Sequence, residues 1–312
     1  MFTIVQRRKI WFLLSIVIIV PGIVAMIYNT ITLPTHSPWR LSVDFREGNR
    51  FELKFTQPIT EDQLRNTFVE NGVSSPQITR LGKEADNTWQ VRTEYIEGDK
   101  AQVLRDKLNA VVPLDQGKTS IESVSKSVAD QVTTTAFVAV IVSSVMILLF
   151  IWITFRKASH SIRYSIAAIV AMVHDVLVAA GVMAIFSAVL GWEIDALFLT
   201  AILTVIGFSV PDTIVVYDRI RENLGRYKGM DFETIVSRSI VETLHRSLTI
   251  SLINMLVMFA ILVFGGASIR QFVAVLLIGL VSGTYSSIFT AVPMVVGWET
   301  GDFWGTKKKK AA

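Results

Sequence analysis

The chain has 312 residues, of which 51% are hydrophobic and 18% charged, with a mean hydropathy of +0.50. That charged share is well under the usual ~25%, which excludes a disordered chain and argues against a purely soluble one. There is no cysteine, so disulfides, thiolate metal sites and cysteine nucleophiles are excluded together. The net charge of +4 is small, and its placement carries the information.

The first element is the apolar run Ile10–Tyr28, preceded by Arg7, Arg8 and Lys9. A helix needs about 20 apolar residues to cross the hydrocarbon core of a bilayer. Residues 1–28 are therefore read as a cytoplasmic N-terminus and a first span. The run is long for a signal-peptide core and lacks a clear small-residue cleavage site, so an uncleaved anchor is expected.

Residues 29–135 follow, 107 in number, with 13 basic and 15 acidic side chains. The stretch is long enough to fold alone. Arg50–Phe55, Gln77–Leu81, Thr88–Tyr95 and Ser120–Val124 read as strands. Thr60–Asn71 and Asp99–Val111 read as helices, the first with a Thr60/Gln63 capping box. The order strand, helix, strand, strand, helix, strand predicts an α+β ferredoxin-like domain. No His pair, phosphate-binding loop or Ser/His/Asp grouping occurs in it, so a binding or structural module is expected rather than an enzyme.

Residues 136–298 hold five more apolar runs: Ala136–Phe155, Ile166–Leu190, Ala196–Tyr217, Leu248–Phe264 and Phe272–Trp298. The six runs together comprise 130 residues and contain two charged side chains, Asp175 and Asp212. The other 54 of the 56 charges lie in the remaining 182 residues. The expected architecture is an α-helical polytopic membrane protein, a six-helix transmembrane bundle with one outer domain. Within it, the charged loop 218–247 carries an apolar helical stripe at Phe232, Ile235, Val236, Ile240 and Leu244. This fits an amphipathic helix on the membrane surface, or equally an extension of the fifth span. A basic tail, residues 299–312, closes the chain.

Lys and Arg in short connections set orientation. Sixteen of them fall before run one, between runs two and three, between runs four and five, and after run six. The two short connections on the other side carry only Arg270. Both termini are therefore expected in the cytoplasm, and residues 29–135 outside it.

Charges inside a span are costly, by at least about 2.5–3.5 kcal/mol at the centre. Asp212 follows Gly207 and Pro211, and the proline deprives the Gly207 carbonyl of its ladder partner. A helix break before the carboxylate is expected, with Thr200, Thr204, Gly207 and Pro211 on one face. The fifth span offers Thr243, Arg246, Ser247, Ser251 and Asn254 within one arc. Arg246 and Asp212 stand near the same end of their helices. A neighbouring arginine favours the charged form of a buried carboxylate, so moving it would bind or release a proton. A static ion pair or a hydrogen-bonded packing residue is the alternative. His174 and Asp175 are a second intramembrane pair. Adjacent helical residues point about 100° apart, so they are not expected to serve one site. Asp175 is read either as glue in a helix contact or as a proton relay, and His174 as a packing residue. Gly279 and Gly283, with Ser282 and Ser286 alongside, form a helix-packing surface. No metal site or cofactor is expected, since only four His are present and His36 and His160 lie in loops.

The string Ile206–Leu224, IGFSVPDTIVVYDRIRENL, resembles the signature of the SecD/SecF family of bacterial protein-export membrane proteins. The resemblance continues through His174-Asp175, Arg246-Ser-Leu-Thr, Phe264-Gly-Gly and the Leu277–Phe289 stretch. Val43-Asp44-Phe45 is a trace of the family's G-x-D-F-x-G-G segment. Ser42 and Glu47 stand where glycines are usual, and Pro211 replaces an asparagine. The family is similar to the resistance-nodulation-division transporters.

The resemblance implies an ion-coupled translocase subunit in a bacterial inner membrane, not a hydrolase. It implies that the proton motive force moves an outer domain that draws exported, unfolded polypeptides across. Asp212 matches the family's proton-coupling aspartate and Arg246 its partner. Asp218, Arg219, Arg221 and Glu222 match the charged cytoplasmic end of the same helix. Implied partners are SecD, the SecYEG translocon, YajC and YidC, and membrane lipid, with no nucleic acid. The alternative is a subunit of a small-molecule exporter of the same superfamily.

Overall fold

The computed structural model describes residues 4–73, 76–82, 86–156 and 161–304. Most of the expected basic tail, including Lys307–Lys310, lies outside them, as do Lys157 and His160. In chain order, helix α1 (Arg8–Thr32) is followed by strand β1 (Gly48–Lys54) and helix α2 (Glu61–Glu70). Strands β2 (Gln77–Leu81) and β3 (Thr88–Thr93), helix α3 (Gly98–Val111) and strand β4 (Ser120–Val124) come next. Then come α4 (Lys126–Phe155), α5 (Ser161–Leu190), α6 (Ala196–Arg226), α7 (Phe232–Phe264), α8 (Ala267–Ser286) and α9 (Val292–Thr300). The chain divides into two compact units, Leu41–Phe137 and the rest.

In the smaller unit the strands form one antiparallel sheet in the order β2-β3-β1-β4. Register places Phe51 opposite Val91 on one side and Ile121 on the other. Alternation along β1 and β3 turns Phe51, Leu53, Trp89 and Val91 to one buried face. Leu64 and Phe68 of α2 and Ala101, Leu104 and Leu108 of α3 join them in one core. Spacings of four, three and four residues set those side chains on single helix faces. The capping box at the start of α2 is present: Thr60 accepts from the Gln63 N–H, and the Thr60 N–H donates to Gln63 Oε1.

The larger unit holds six helical stretches long and apolar enough to cross a membrane. In the most apolar window, 56% of the α5 stretch and 61% of the α8–α9 stretch is buried, against 6–11% for α1, α4 and α7. So α5 and α8–α9 form the centre, and α1, α4 and α7 present apolar surface outward. Gly22 of α1 meets Gly181 of α5 backbone to backbone, and a Cβ on Gly22 would fall 2.6 Å from the Gly181 Cα. The end of α1 is held by Asn29, whose Nδ2 donates to Ala184 O at 2.9 Å, and by Trp39, whose Nε1 donates to Ala180 O at 2.9 Å.

Three helices depart from the apolar runs. α7 is continuous from Phe232, so the apolar stripe of loop 218–247 is an extension of the fifth span and not a separate surface helix. Asn223 of α6, fully buried, donates to Ser239 Oγ and Glu242 Oε2 of that extension, both at 2.9 Å. Arg219 donates to Glu242 Oε2 at 2.6 Å. These cross-links hold the polar ends of α6 and α7 helical beyond their apolar runs. Second, α6 runs unbroken through Pro211, which corrects the expected break at Gly207 and Pro211. Proline removes one ladder bond, and packing of the rest of the helix keeps its course. Third, the last span contains a π-helical turn, Ser287–Ala291, between α8 and α9.

Arg8 is 1% exposed, although it stands just before the first apolar run. Its guanidinium donates to Glu233 Oε1 at 2.9 Å, to Val5 O at 2.9 Å and to Asp302 O at 2.7 Å. The beginning of α1, the beginning of α7 and the segment after α9 therefore meet at one buried cation.

Candidate functional site

Two carboxylates are set in the spans, and hydroxyl groups surround both. Asp212, half-buried on α6, accepts from Ser251 Oγ of α7 at 3.3 Å. Ser247, buried one turn earlier on α7, faces the same carboxylate. Helical spacing puts Ser247 and Ser251 on one face, so α7 offers the carboxylate a short ladder of hydroxyls. Arg246 is exposed and makes no ion pair among the described residues. The structure thus brings Ser247 and Ser251 to Asp212, and does not bring Arg246. The reason is angular: Arg246 precedes Ser247 by one residue, about 100° around the helix.

Other expected neighbours are elsewhere. Thr200 and Thr204 lie on the outward face of α6 with Gly207 and Pro211. Each threonine donates to a carbonyl of its own helix, Thr200 to Ala196 O at 3.2 Å and Thr204 to Thr200 O at 2.7 Å. They do not line a pocket with Asp212. Asn254 is half-buried, with no side-chain hydrogen bond among the described residues. Thr243 is buried and bonds back to its own helix.

Asp175 of α5 is fully buried at the junction of three helices. Ser209 of α6 donates to its Oδ2 at 2.6 Å. From α8, Ser286 donates to Oδ2 at 2.7 Å and Ser282 to Oδ1 at 2.7 Å. His174 Nδ1 lies 3.1 Å from Oδ1. This corrects the expectation that His174 and Asp175 serve different sites. The imidazole turns back along the helix to its neighbour and packs by the Tyr285 ring, with centroids 5.8 Å apart. His174 Nε2 is buried and has no hydrogen-bond partner among the described residues.

The glycines make this junction possible. A Cβ on Gly279 would overlap the Val205 side chain, and one on Gly283 would fall 3.4 Å from the Ser209 Cα and 3.6 Å from Asp175 Oδ2. Without a side chain at Gly283, α8 lies close enough to α6 for Ser282 and Ser286 to reach Asp175. The polar seam continues past it. Ser287, the first residue of the π turn, donates to Ser209 O at 3.2 Å, and Thr213 Oγ1 is 3.0 Å from Ser287 Oγ. Single π turns inside α-helices occur often at functional sites.

Ser209, Thr213 and Ser287 are the residues that sequence reasoning missed. A small hydroxyl in a span is unremarkable when read alone. One signal was available: Ser209 precedes Asp212 by three residues, and Ser282 and Ser286 share the four-residue spacing of Gly279 and Gly283.

Residues 103–301 match the family model described as protein export membrane protein SecD/SecF, C-terminal. The chain is 39% identical to the protein translocase subunit SecF of Thermobaculum terrenum, covering 97% of this chain and 96% of that one. It is 36% identical to that of Anaerolinea thermophila, covering 100% and 98%. Among solved structures it resembles the translocon-associated membrane protein SecDF of Thermus thermophilus, with a TM-score of 0.75 and 26% identity. That match covers 93% of this chain and 38% of the longer solved one.

Proposed function

This chain belongs to the SecD/SecF family of protein-export membrane proteins, and on that premise we propose that it couples the proton motive force to the export of polypeptides. The observation that carries the reading is Asp212. It is a carboxylate in a spanning helix whose neighbours on α7 are the hydroxyls of Ser247 and Ser251, with no cation paired to it among the described residues. Hydroxyls can donate to a carboxylate or accept from a carboxylic acid, so the site tolerates both protonation states. Arg246 is the natural counter-charge. A turn of α7 by about 100° exchanges the Ser247 hydroxyl for the guanidinium. Protonated Asp212 then pairs with hydroxyls, and ionised Asp212 with Arg246.

Asp175, with His174, Ser209, Ser282 and Ser286, is the fixed counterpart. It joins α5, α6 and α8 into the body against which α7 moves. We assign the unit Leu41–Phe137 to the ferredoxin-like class, on its sheet order and its two helices, and place it outside the cytoplasm. Ser125 alone separates β4 from α4, a connection short enough to carry helix movement into the domain. The ion pairs of Arg8 with Glu233 and Asp302 support placing both termini and the charged ends of α6 and α7 on one side, and the excess of Lys and Arg there makes it the cytoplasmic one.

The solved relative is named as SecDF, and the implied partner here is SecD on a second six-helix bundle. SecYEG, with YajC and YidC, and unfolded secretory polypeptides complete the expected set. The relatives' shared name favours protein export over small-molecule efflux. The test is export of a secreted reporter in a strain dependent on this chain. Asp212→Asn is expected to abolish complementation while the protein still accumulates in the membrane. Full complementation by Asp212→Asn would remove the proposal.

A further inference from the structure

A groove of about 570 Å³ runs along the larger unit between the start of α1, α7 and the α8–π-turn stretch. Its walls include Trp11, Leu248, Met255, Val281 and Phe289. Along α7 the lining runs from Leu244 to Met255, which at 1.5 Å per residue is roughly 16 Å of helix. One end lies beside Arg7, just before the apolar run opens at Ile10, and the rest follows the spanning helices.

The polar atoms in this wall are already satisfied within the chain. Trp11 Nε1 donates to Ile4 O at 3.0 Å, Tyr285 Oη to Trp11 O at 2.8 Å, and Thr284 Oγ1 to Leu280 O at 2.8 Å. The groove therefore asks for an apolar occupant. Arg7 is the exception. It is exposed, and its guanidinium makes no hydrogen bond or ion pair among the described residues. Its neighbour Arg8 is committed to Glu233 and Asp302. Two adjacent arginines are thus used differently: one locks the fold, and the other stands free over the charged end of an apolar groove.

We infer that this groove is a binding site for an anionic phospholipid. An acyl chain lies along Leu248, Met255 and Val281, and the phosphate lies at Arg7. The occupant is a lipid rather than an extended peptide, because such a segment would bring backbone donors and acceptors that the wall leaves unpaired; a spanning helix satisfies its own backbone, and the crosslinking below tests for it. It is anionic because the polar group in the wall that lacks a partner among the described residues is a cation, and an arginine near a membrane surface favours an anionic headgroup roughly five-fold over a neutral one. The inference is independent of the role given to Asp212.

The test is native mass spectrometry of the full chain in its SecD complex, released from bilayers of equimolar phosphatidylglycerol and phosphatidylcholine. Wild type is expected to retain phosphatidylglycerol about five-fold over phosphatidylcholine. Arg7→Gln is expected to remove that preference and Arg7→Lys to keep most of it. Met255→Trp, which fills the groove, is expected to lower retention of both lipids. Val281→Phe serves the same purpose should Met255→Trp not fold. Thermal unfolding in lipid-free detergent should be unchanged in Arg7→Gln, which separates a lost ligand from a lost fold. An unchanged preference in Arg7→Gln, or undiminished lipid in a folded groove-filling variant, overturns the inference. So does crosslinking of a SecD segment, instead of lipid, from a photoreactive residue at Leu248.

Discussion

The hydroxyl of Ser209 donates to Asp175 Oδ2 at 2.6 Å, fastening α6 to α5 three residues before Asp212. Ser282 and Ser286 add two more donors from α8. A carboxylate with this many partners is a joint. Interhelical hydrogen bonds in membranes contribute about 0.6 kcal/mol each, so losing all three costs about 2 kcal/mol. Asp175→Leu should lower the unfolding midpoint in detergent accordingly. Asp175→Asn, which keeps the shape and can be met by rotated hydroxyls, should cost much less. Equal destabilisation by the two would contradict the hydroxyl cage.

Arg8 is the second joint. Its side chain is 2% exposed, beside Glu233 at 19% and Asp302 at 6%. Removing one partner of a buried charge pair typically costs about 3–5 kcal/mol. Arg8→Met is therefore expected to destabilise the chain strongly. Arg7→Met, one residue away and free of such contacts, should leave the midpoint in place. Differential scanning fluorimetry of both variants separates the two arginines.

Gly279 faces Val205 with no room for a methyl group. Gly279→Ala should cost about 1–3 kcal/mol through overpacking. The partner substitution Val205→Ala opens the space, so the double variant should be more stable than Gly279→Ala alone. A purely additive double variant would show that the helices do not meet at this pair.

In the smaller unit, Asn49 is fully buried on β1. Its Nδ2 donates to Ile96 O at 3.0 Å and to Ser123 Oγ at 2.6 Å, and its Oδ1 accepts from the Ile96 N–H at 2.6 Å. Asn49→Asp keeps the acceptor but sets a carboxylate oxygen against Ile96 O. A loss of about 1–3 kcal/mol is expected, more than for Asn49→Ser. Chemical denaturation followed by the fluorescence of Trp89, in the same core, is the measurement.

Much of this architecture was legible because lipid imposes strong rules. Runs free of charge had to be spans, and Asp175 and Asp212 stood out against them. Strand alternation around Trp89 and Val91 and the Thr60/Gln63 box gave the order of elements in the smaller unit. Periodicity did not reveal where the helices end, since α6 and α7 extend past the apolar residues on contacts such as Asn223 to Ser239. Pro211 misled because one lost ladder bond does not break a helix that its neighbours hold. The Asp175 cage was hidden for another reason. Its donors, Ser209, Ser282 and Ser286, come from two other helices, and only packing brings them together. Gly22 and Gly181 were likewise unreadable, being 159 positions apart and each unremarkable in its own span.

In the proposed mechanism Asp212 takes up and releases the coupling proton, with Arg246 as its alternating partner. Proton flux through the complex with SecD, in vesicles under an imposed pH gradient, addresses it most directly. Asp212→Asn is expected to abolish the flux, and Arg246→Lys to retain more of it than Arg246→Gln. Undiminished flux in a folded Asp212→Asn complex would mean that Asp212 does not carry the proton.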